Sequence, residues 1–99
     1  MIDKKSFKDK ELKNYYQGDV SKVGDIFHSH INLYLQAMNA PQNPMSLVKK
    51  FPGYHPYKKK TKGVKTHSLP LTGNYRLLFS FDKKKQYFFK IYIHDPHKK

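Results

Sequence analysis

Cysteine is absent from the 99 residues, which excludes a disulfide scaffold and the cysteine-containing zinc sites and leaves the core to hold the fold unaided. Acidic residues are scarce. Seven Asp and Glu stand against 20 Lys and Arg, a formal net charge of +13. Beyond residue 50 only Asp82 and Asp95 are acidic, so a paired-carboxylate mechanism has no place there and histidine is the available acid or base. No apolar run approaches the roughly 18 to 20 residues of a spanning helix. Met1-Ile2-Asp3-Lys4-Lys5 has no apolar signal core behind its charges, so a cytoplasmic protein is expected. Internal repeats and Gly/Ser linkers are lacking as well, and the length fits a single domain over 1–99.

The charge is unevenly spread. Eight Lys against five acids in residues 1–50 leave +3, whereas twelve cations against two acids in 51–99 leave +10. Such an excess points to an anionic partner, either nucleic acid, an anionic membrane surface or an acidic protein segment. Eight Tyr and seven Phe supply the large side chains a small core needs.

Residues 6–17 are helix-permissive, with Ser6 as N-cap. Val20, Val23, Phe27, Ile31, Tyr34, Leu35 and Met38 recur at three- and four-residue steps and predict an amphipathic helix over 20–38, capped by Asp19 and stopped at Asn39-Ala40-Pro41. Ile26 and Leu33 fall on a second side, where the first helix is expected to cover them. Residues 44–50 suit a helical turn or two. The stretch FPGYHPYKKKTKG, 51–63, reads as irregular and basic because of its prolines and glycines.

Residues 74–82 and 86–94 alternate as two strands joined by Lys83-Lys84-Lys85, and a third strand over 65–71 precedes them, with Leu69 and Leu71 inward. Odd-numbered residues of the hairpin are large and apolar, so they are expected to face the core. Arg76, Lys90, Tyr92 and His94 then lie on the opposite face. If Asp82 opposes Gln86, Arg76 opposes Tyr92 and His94 sits one diagonal step away. The expected fold class is α+β: two N-terminal helices packed on one face of a small, mostly antiparallel sheet of three to four strands, with the other face open, cationic and aromatic.

His28 and His30 are two residues apart on a helix and diverge by about 200°, so they cannot chelate one metal as a pair and read as structural or solvated. His94-x-x-His97 has no cysteine or second pair to complete a zinc site, so neither a metal nor another cofactor is expected. Lys58, Lys59, Lys60, Lys62 and Lys65, with Tyr54, His55 and Tyr57 beside them, suit either a solvated loop or RNA contact. The interleaved aromatics favour RNA, with Tyr57 and these five lysines as its binding residues. His55, His67 and His94 are expected to converge around Arg76, with Lys90, Tyr92 and His97 as auxiliaries. Such a group suits RNA cleavage through the ribose 2′-hydroxyl, which needs a base for the 2′-proton, a cation for the phosphorane and an acid for the leaving 5′-oxygen. Surrounding lysines favour neutral imidazole and a bound phosphate favours the protonated form, so substrate binding could split two histidines into base and acid.

The order helix, helix, basic loop, strand, then Gly73-Asn74-Tyr75-Arg76-Leu77-Leu78-Phe79 and a last strand ending in His94 resembles the RelE/ParE superfamily of type II toxin-antitoxin toxins. Its histidine order is most similar to YafQ-like toxins: His55-Pro56, then Lys62-Gly63-Val64-Lys65-Thr66-His67, then His94. The resemblance covers about 45–97 and implies the RelE-like microbial RNase fold. It also implies a ribosome-dependent mRNA endonuclease of the decoding site, in contact with mRNA and 16S rRNA and silenced by a cognate antitoxin. It carries over His55, His67 and His94 as active-site residues and Arg76 as the phosphate-stabilising cation. Two features depart from the pattern. The family carboxylate falls on Leu71, leaving its role vacant or to Thr72 or Asn74, and no aromatic residue follows His94. An N-terminal strand usual in the family is not evident in residues 1–5.

Two other functions fit parts of the sequence: a same-fold toxin that inhibits DNA gyrase without cutting, and a plain RNA-binding module. The three histidines favour the nuclease. The antitoxin is expected to present an acidic segment to the even-numbered face, or a helix to the flank of Val20–Met38.

Overall fold

The computed structural model describes residues 1–61 and 64–96, and the side chains of all these except 58–61. Three short helices, α1 (Lys10–Tyr16), α2 (His28–Met38) and α3 (Pro44–Lys49), precede four strands, β1 (His55–Thr61), β2 (Val64–Pro70), β3 (Arg76–Asp82) and β4 (Tyr87–His94). The strands form one sheet in the order β1-β2-β3-β4, each antiparallel to the next. Leu12, Ile31, Met38 and Val48 from the helices meet Leu69, Leu77, Phe79, Phe88 and Ile91 from one sheet face, all fully buried. The α+β class is thus as the hydrophobic pattern requires.

The helical half corrects several expectations. Asp9, not Ser6, caps the first helix, accepting hydrogen bonds from the Glu11 N–H (2.9 Å) and Leu12 N–H (3.4 Å). Ser6 instead closes a reciprocal cap with Asp3 around a 3-10 turn at Lys4–Ser6. The segment beside this turn runs along the outer edge of β4. The Met1 ammonium donates to Gln86 O (2.6 Å), Phe88 N–H to Met1 O (2.9 Å) and Lys8 N–H to Ile91 O (3.0 Å), and Phe7 bridges Ile91 in parallel. The N-terminal segment forms no strand, as expected for residues 1–5, but these isolated contacts cover ladder groups of β4 that would otherwise be open to pairing. The helix expected over 20–38 is realised only in its second half. Asp19 closes a turn with Ser21 (2.6 Å to its hydroxyl), and a 3-10 turn at Asp25–Phe27 follows Gly24 before α2 begins. Ile26 and Leu33 are 63% and 53% exposed rather than covered by α1.

In the strand half, the basic stretch expected to be irregular supplies β1. Pro56 is tolerated because β1 is an edge strand, where a missing N–H costs no ladder bond on the open side. The turn before it is tight, with Tyr54 N–H donating to Phe51 O (3.2 Å) and Gly53 at φ +82°, as a Pro-Gly type II turn demands, and the β1–β2 register shifts between Tyr57 and Thr61.

The β3–β4 register also differs. Asp82 pairs with Tyr87, Phe81 with Phe88 and Ser80 with Phe89, but then Leu78 pairs with Tyr92, Leu77 with Ile93 and Arg76 with His94. One extra residue enters β4 at a bulge where Lys90 adopts φ +53°. Because the bulge inverts side-chain parity, Phe88 and Ile91 both enter the core, whereas Phe89 crosses to the other face. With one residue of shift from the turn, where Asp82 meets Tyr87 instead of Gln86, and one from the bulge, Arg76 opposes His94, not Tyr92.

Candidate active site

Directly paired residues on neighbouring strands share a face. The pairings His55 with Ser68, Tyr57 with Thr66, Ser68 with Leu78, Leu78 with Tyr92 and Arg76 with His94 therefore put His55, Tyr57, Ser68, Arg76, Tyr92 and His94 on the face away from the helices. That face is not flat. Leu78 on its floor is only 1% exposed, and the Tyr57 ring of β1 lies 6.4 Å from the His94 ring of β4, edge-on, although two strands separate them.

Arg76 is the fixed point of the group. Its Nε–H donates to Ser68 Oγ (2.9 Å) and its Nη2–H to Gly53 O (2.6 Å). A guanidinium carries five N–H donors, so this two-point clamp orients the fork and leaves donors for an anion. The carbonyl partner depends on glycine. A Cβ at residue 53 would lie 2.7 Å from Pro70 Cγ, and the positive φ is one that other residues take only under strain. Ser68 Oγ also lies 3.5 Å from His55 Nε2, and His55 Nδ1 lies 3.1 Å from Pro56 O. A carbonyl only accepts, so in the neutral ring Nδ1 carries the proton and Nε2 can accept from the Ser68 hydroxyl. Arg76, Ser68 and His55 then form one directed chain of donors. Burial, and secondarily the neighbouring Tyr57, raises the Tyr92 phenol above its ordinary pKa, and the Lys8 ammonium sits 4.7 Å above the Tyr92 ring centroid.

His67 does not join this group. It pairs with Phe79, a core residue, and so points to the helix side of β2. Its ring stacks on Phe79 at 5.5 Å, and the Tyr54 hydroxyl can donate to its Nδ1 (2.7 Å). Burial first, then the Lys65 and Lys49 charges, push its pKa down to about 4. The expected convergence of three histidines is therefore corrected to two, because strand alternation turns Ser68 toward Arg76 and His67 away. Lys65 shares the parity of His67 and is exposed on that side, whereas Tyr57 shares the face of Arg76. Lys90 is exposed at the bulge. The side chains of Lys58, Lys59 and Lys60, and all of Lys62 and His97, lie outside the described residues. Leu71 is buried in the core and Thr72 donates to Ile26 O (3.0 Å), so neither places an acid beside Arg76.

Ser68, Gly53 and Lys8 belong to the site without having been picked out from the sequence. The Pro52-Gly53 dipeptide was a signal for the turn, and the parity of Leu69 was a signal for Ser68. Nothing in the local sequence ties Lys8 to Tyr92.

A protein-family model for HigB-like toxin, described as the RelE-like toxin of the type II toxin-antitoxin system HigB, matches residues 5–97. The chain belongs to the HigB-like toxins. Comparison with curated proteins and with solved structures finds no match. As a RelE-like toxin of a type II system, the HigB-like chain has an antitoxin protein as its partner. The match supports the RelE-superfamily reading and does not bear on the YafQ-like histidine order. Among the described residues, no helix of this HigB-like toxin is long and apolar enough to cross a membrane, and no three His, Asp or Glu side chains gather as a metal-ligating set. Its open face offers a clamped guanidinium, two imidazoles and two phenols, which are the groups for phosphate binding and proton transfer.

Proposed function

We propose that this toxin is an mRNA endoribonuclease that cuts message in the ribosomal decoding site by attack of a 2′-hydroxyl on the adjacent phosphate, without a metal or other cofactor. The observation that carries the reading is the pairing of Arg76 with His94 on one side and its link through Ser68 to His55 on the other. In this mechanism the guanidinium binds the non-bridging phosphate oxygens and stabilises the charge that grows on the phosphorane. His55 and His94 divide the roles of base and acid, one taking the 2′-proton and the other protonating the leaving 5′-oxygen. Tyr57 and Tyr92 hold the strand between them, and Lys90 and the basic β1 segment supply phosphate contacts. His67 acts as a core residue that sets β2 against Phe79, not as a proton carrier. Of the YafQ-like histidines, His55 and His94 keep their role in this scheme.

A gyrase inhibitor or a passive RNA-binding module would have no use for a clamped arginine between two imidazoles. Primer extension on messages from cells expressing the toxin separates the readings: codon-phased breaks are expected, and intact messages under growth arrest would reject cleavage.

The antitoxin has two surfaces to cover. One is the cationic face around Arg76, suited to an acidic segment. The other is the α2–α3 flank, where residues 26–48 contain no Asp, Glu, Lys or Arg in a chain with 27% of these residues, and where Leu33 and Leu47 are 53% and 41% exposed. That flank suits the apolar side of a helix.

A further inference from the structure

Beside the Arg76 group, on the same face, lies a cleft of about 360 Å³ that shares Tyr92, Lys8 and Lys90 with it and extends away from the reacting atoms. It exists because of the bulge. Phe89 lies on this face opposite Ser80, the parity change at Lys90 brings Tyr92 onto the same face, and the N-terminal edge segment brings Lys5 and Lys8 alongside. The lining therefore combines aromatic surface from Phe89 and Tyr92 with three ammonium groups, those of Lys5, Lys8 and Lys90, and the hydroxyl-bearing Thr66, with no carboxylate. Lys8 already sits over the Tyr92 ring, so one wall pairs a cation with a π-face as base-stacking sites do. The volume is at the low end for a small-molecule site, enough for a single nucleoside rather than a folded partner. Arg76 and Ser80 are four residue steps apart on β3, about 13 Å at the usual rise, so the cleft and the guanidinium can engage one continuous strand.

We propose that this cleft takes a nucleobase of the RNA strand bound at Arg76, stacked on Phe89, with the flanking phosphate held by Lys5, Lys8 and Lys90. The inference rests on the RNA-cleaving reading and adds to it a base-binding subsite away from the reacting atoms. The lysines set affinity, and the base edge meets Thr66, so discrimination among bases resides there and on Phe89 rather than on the two histidines.

The test uses the full chain and a short oligoribonucleotide that carries 2-aminopurine and is 2′-O-methylated throughout so that it cannot be cut. Binding to the wild type should quench the fluorescence. Phe89→Leu, which keeps the bulk but removes the π-face, should abolish the quench and weaken binding about tenfold, as for loss of one base-aromatic stack. Arg76→Ala should weaken binding and keep the quench. A quench and affinity unchanged in Phe89→Leu, or no binding by the wild type, would overturn the subsite, whereas the ribosomal cleavage reading falls only with the loss of codon-phased breaks. Amide shifts of the wild type on adding nucleoside monophosphates provide a readout free of any variant's folding. Shifts centred on Thr66, Phe89 and Lys90 are expected, and shifts confined to the surroundings of Arg76 and His94 would contradict the subsite.

Discussion

Arg76 and His94 face each other across the β3–β4 ladder because one extra residue enters β4 at Lys90. Without that bulge the pairing that begins at Asp82 and Tyr87 would run on to set Arg76 against Ile93 and turn His94 toward the core. The same irregularity thus aligns a cation with an imidazole and puts Phe89 and Tyr92, of opposite parity, on one face.

The bulge can be tested through its backbone. Lys90 holds φ +53° with its side chain exposed, a conformation that costs a non-glycine residue about 1 kcal/mol. Lys90→Gly should raise the stability seen in urea titration by roughly 0.5 to 1 kcal/mol, and Lys90→Val should lower it by roughly 1 to 2 kcal/mol, since β-branched residues fit this region worst. Equal midpoints for both variants would mean the bulge is not a fixed feature.

Gly53→Ala tests the arginine clamp. Its Cβ would meet Pro70 and its φ is unfavourable, so the turn must withdraw and take the carbonyl from Arg76. A stability loss of about 1 to 3 kcal/mol is expected from the strain, together with slower RNA cleavage. Ser68→Ala should slow cleavage by about tenfold or more with affinity for uncleavable RNA held. If both variants cut at the wild-type rate, the clamp has no part in function.

How far the site could be read from the sequence follows from strand physics. Period-two alternation identified the hairpin, the inward residues of β3 and the side of Arg76 and His94, but in β4 it set Phe89 inward where Phe88 is. It also bore on His67: the parity that turns Leu69 inward turns His67 inward with it, so drawing three histidines together followed chemistry where geometry ruled. The bulge was not legible, because Tyr87, Phe88 and Phe89 offer aromatic rings on both parities. Nor was β1, since an edge strand rich in Lys lacks the apolar alternation by which buried strands announce themselves. In the helical half, Gly24 and the Asp19–Ser21 turn interrupted a periodicity that reads as continuous by residue type alone.

His67 makes stability depend on pH. Its pKa, about 4 in the folded chain against an ordinary 6.5, means the unfolded chain binds more protons between those values. The stabilisation is therefore complete above about pH 6.5 and is lost as pH falls toward 4, by up to about 3 kcal/mol. Thermal or urea unfolding across pH 7 to 4 should show this slope, and His67→Phe should flatten it. An unchanged slope in the variant would place the titration elsewhere.

The two surfaces offered to the antitoxin predict separable behaviour. Binding to the cationic face should weaken as salt is raised from 50 to 500 mM, because exposed charges are then screened within a few Å. Leu33→Asp with Leu47→Asp should weaken the complex at every salt concentration. A complex indifferent to both changes would require a third surface.

The most direct test of the central claim is the cleavage rate of message on programmed ribosomes by wild type and Arg76→Ala, each first shown to be folded. A cation that stabilises the phosphorane from this position predicts a fall of about 10²- to 10³-fold in the single-turnover rate, with any residual breaks at the same codon positions. A rate within twofold of wild type would contradict the account.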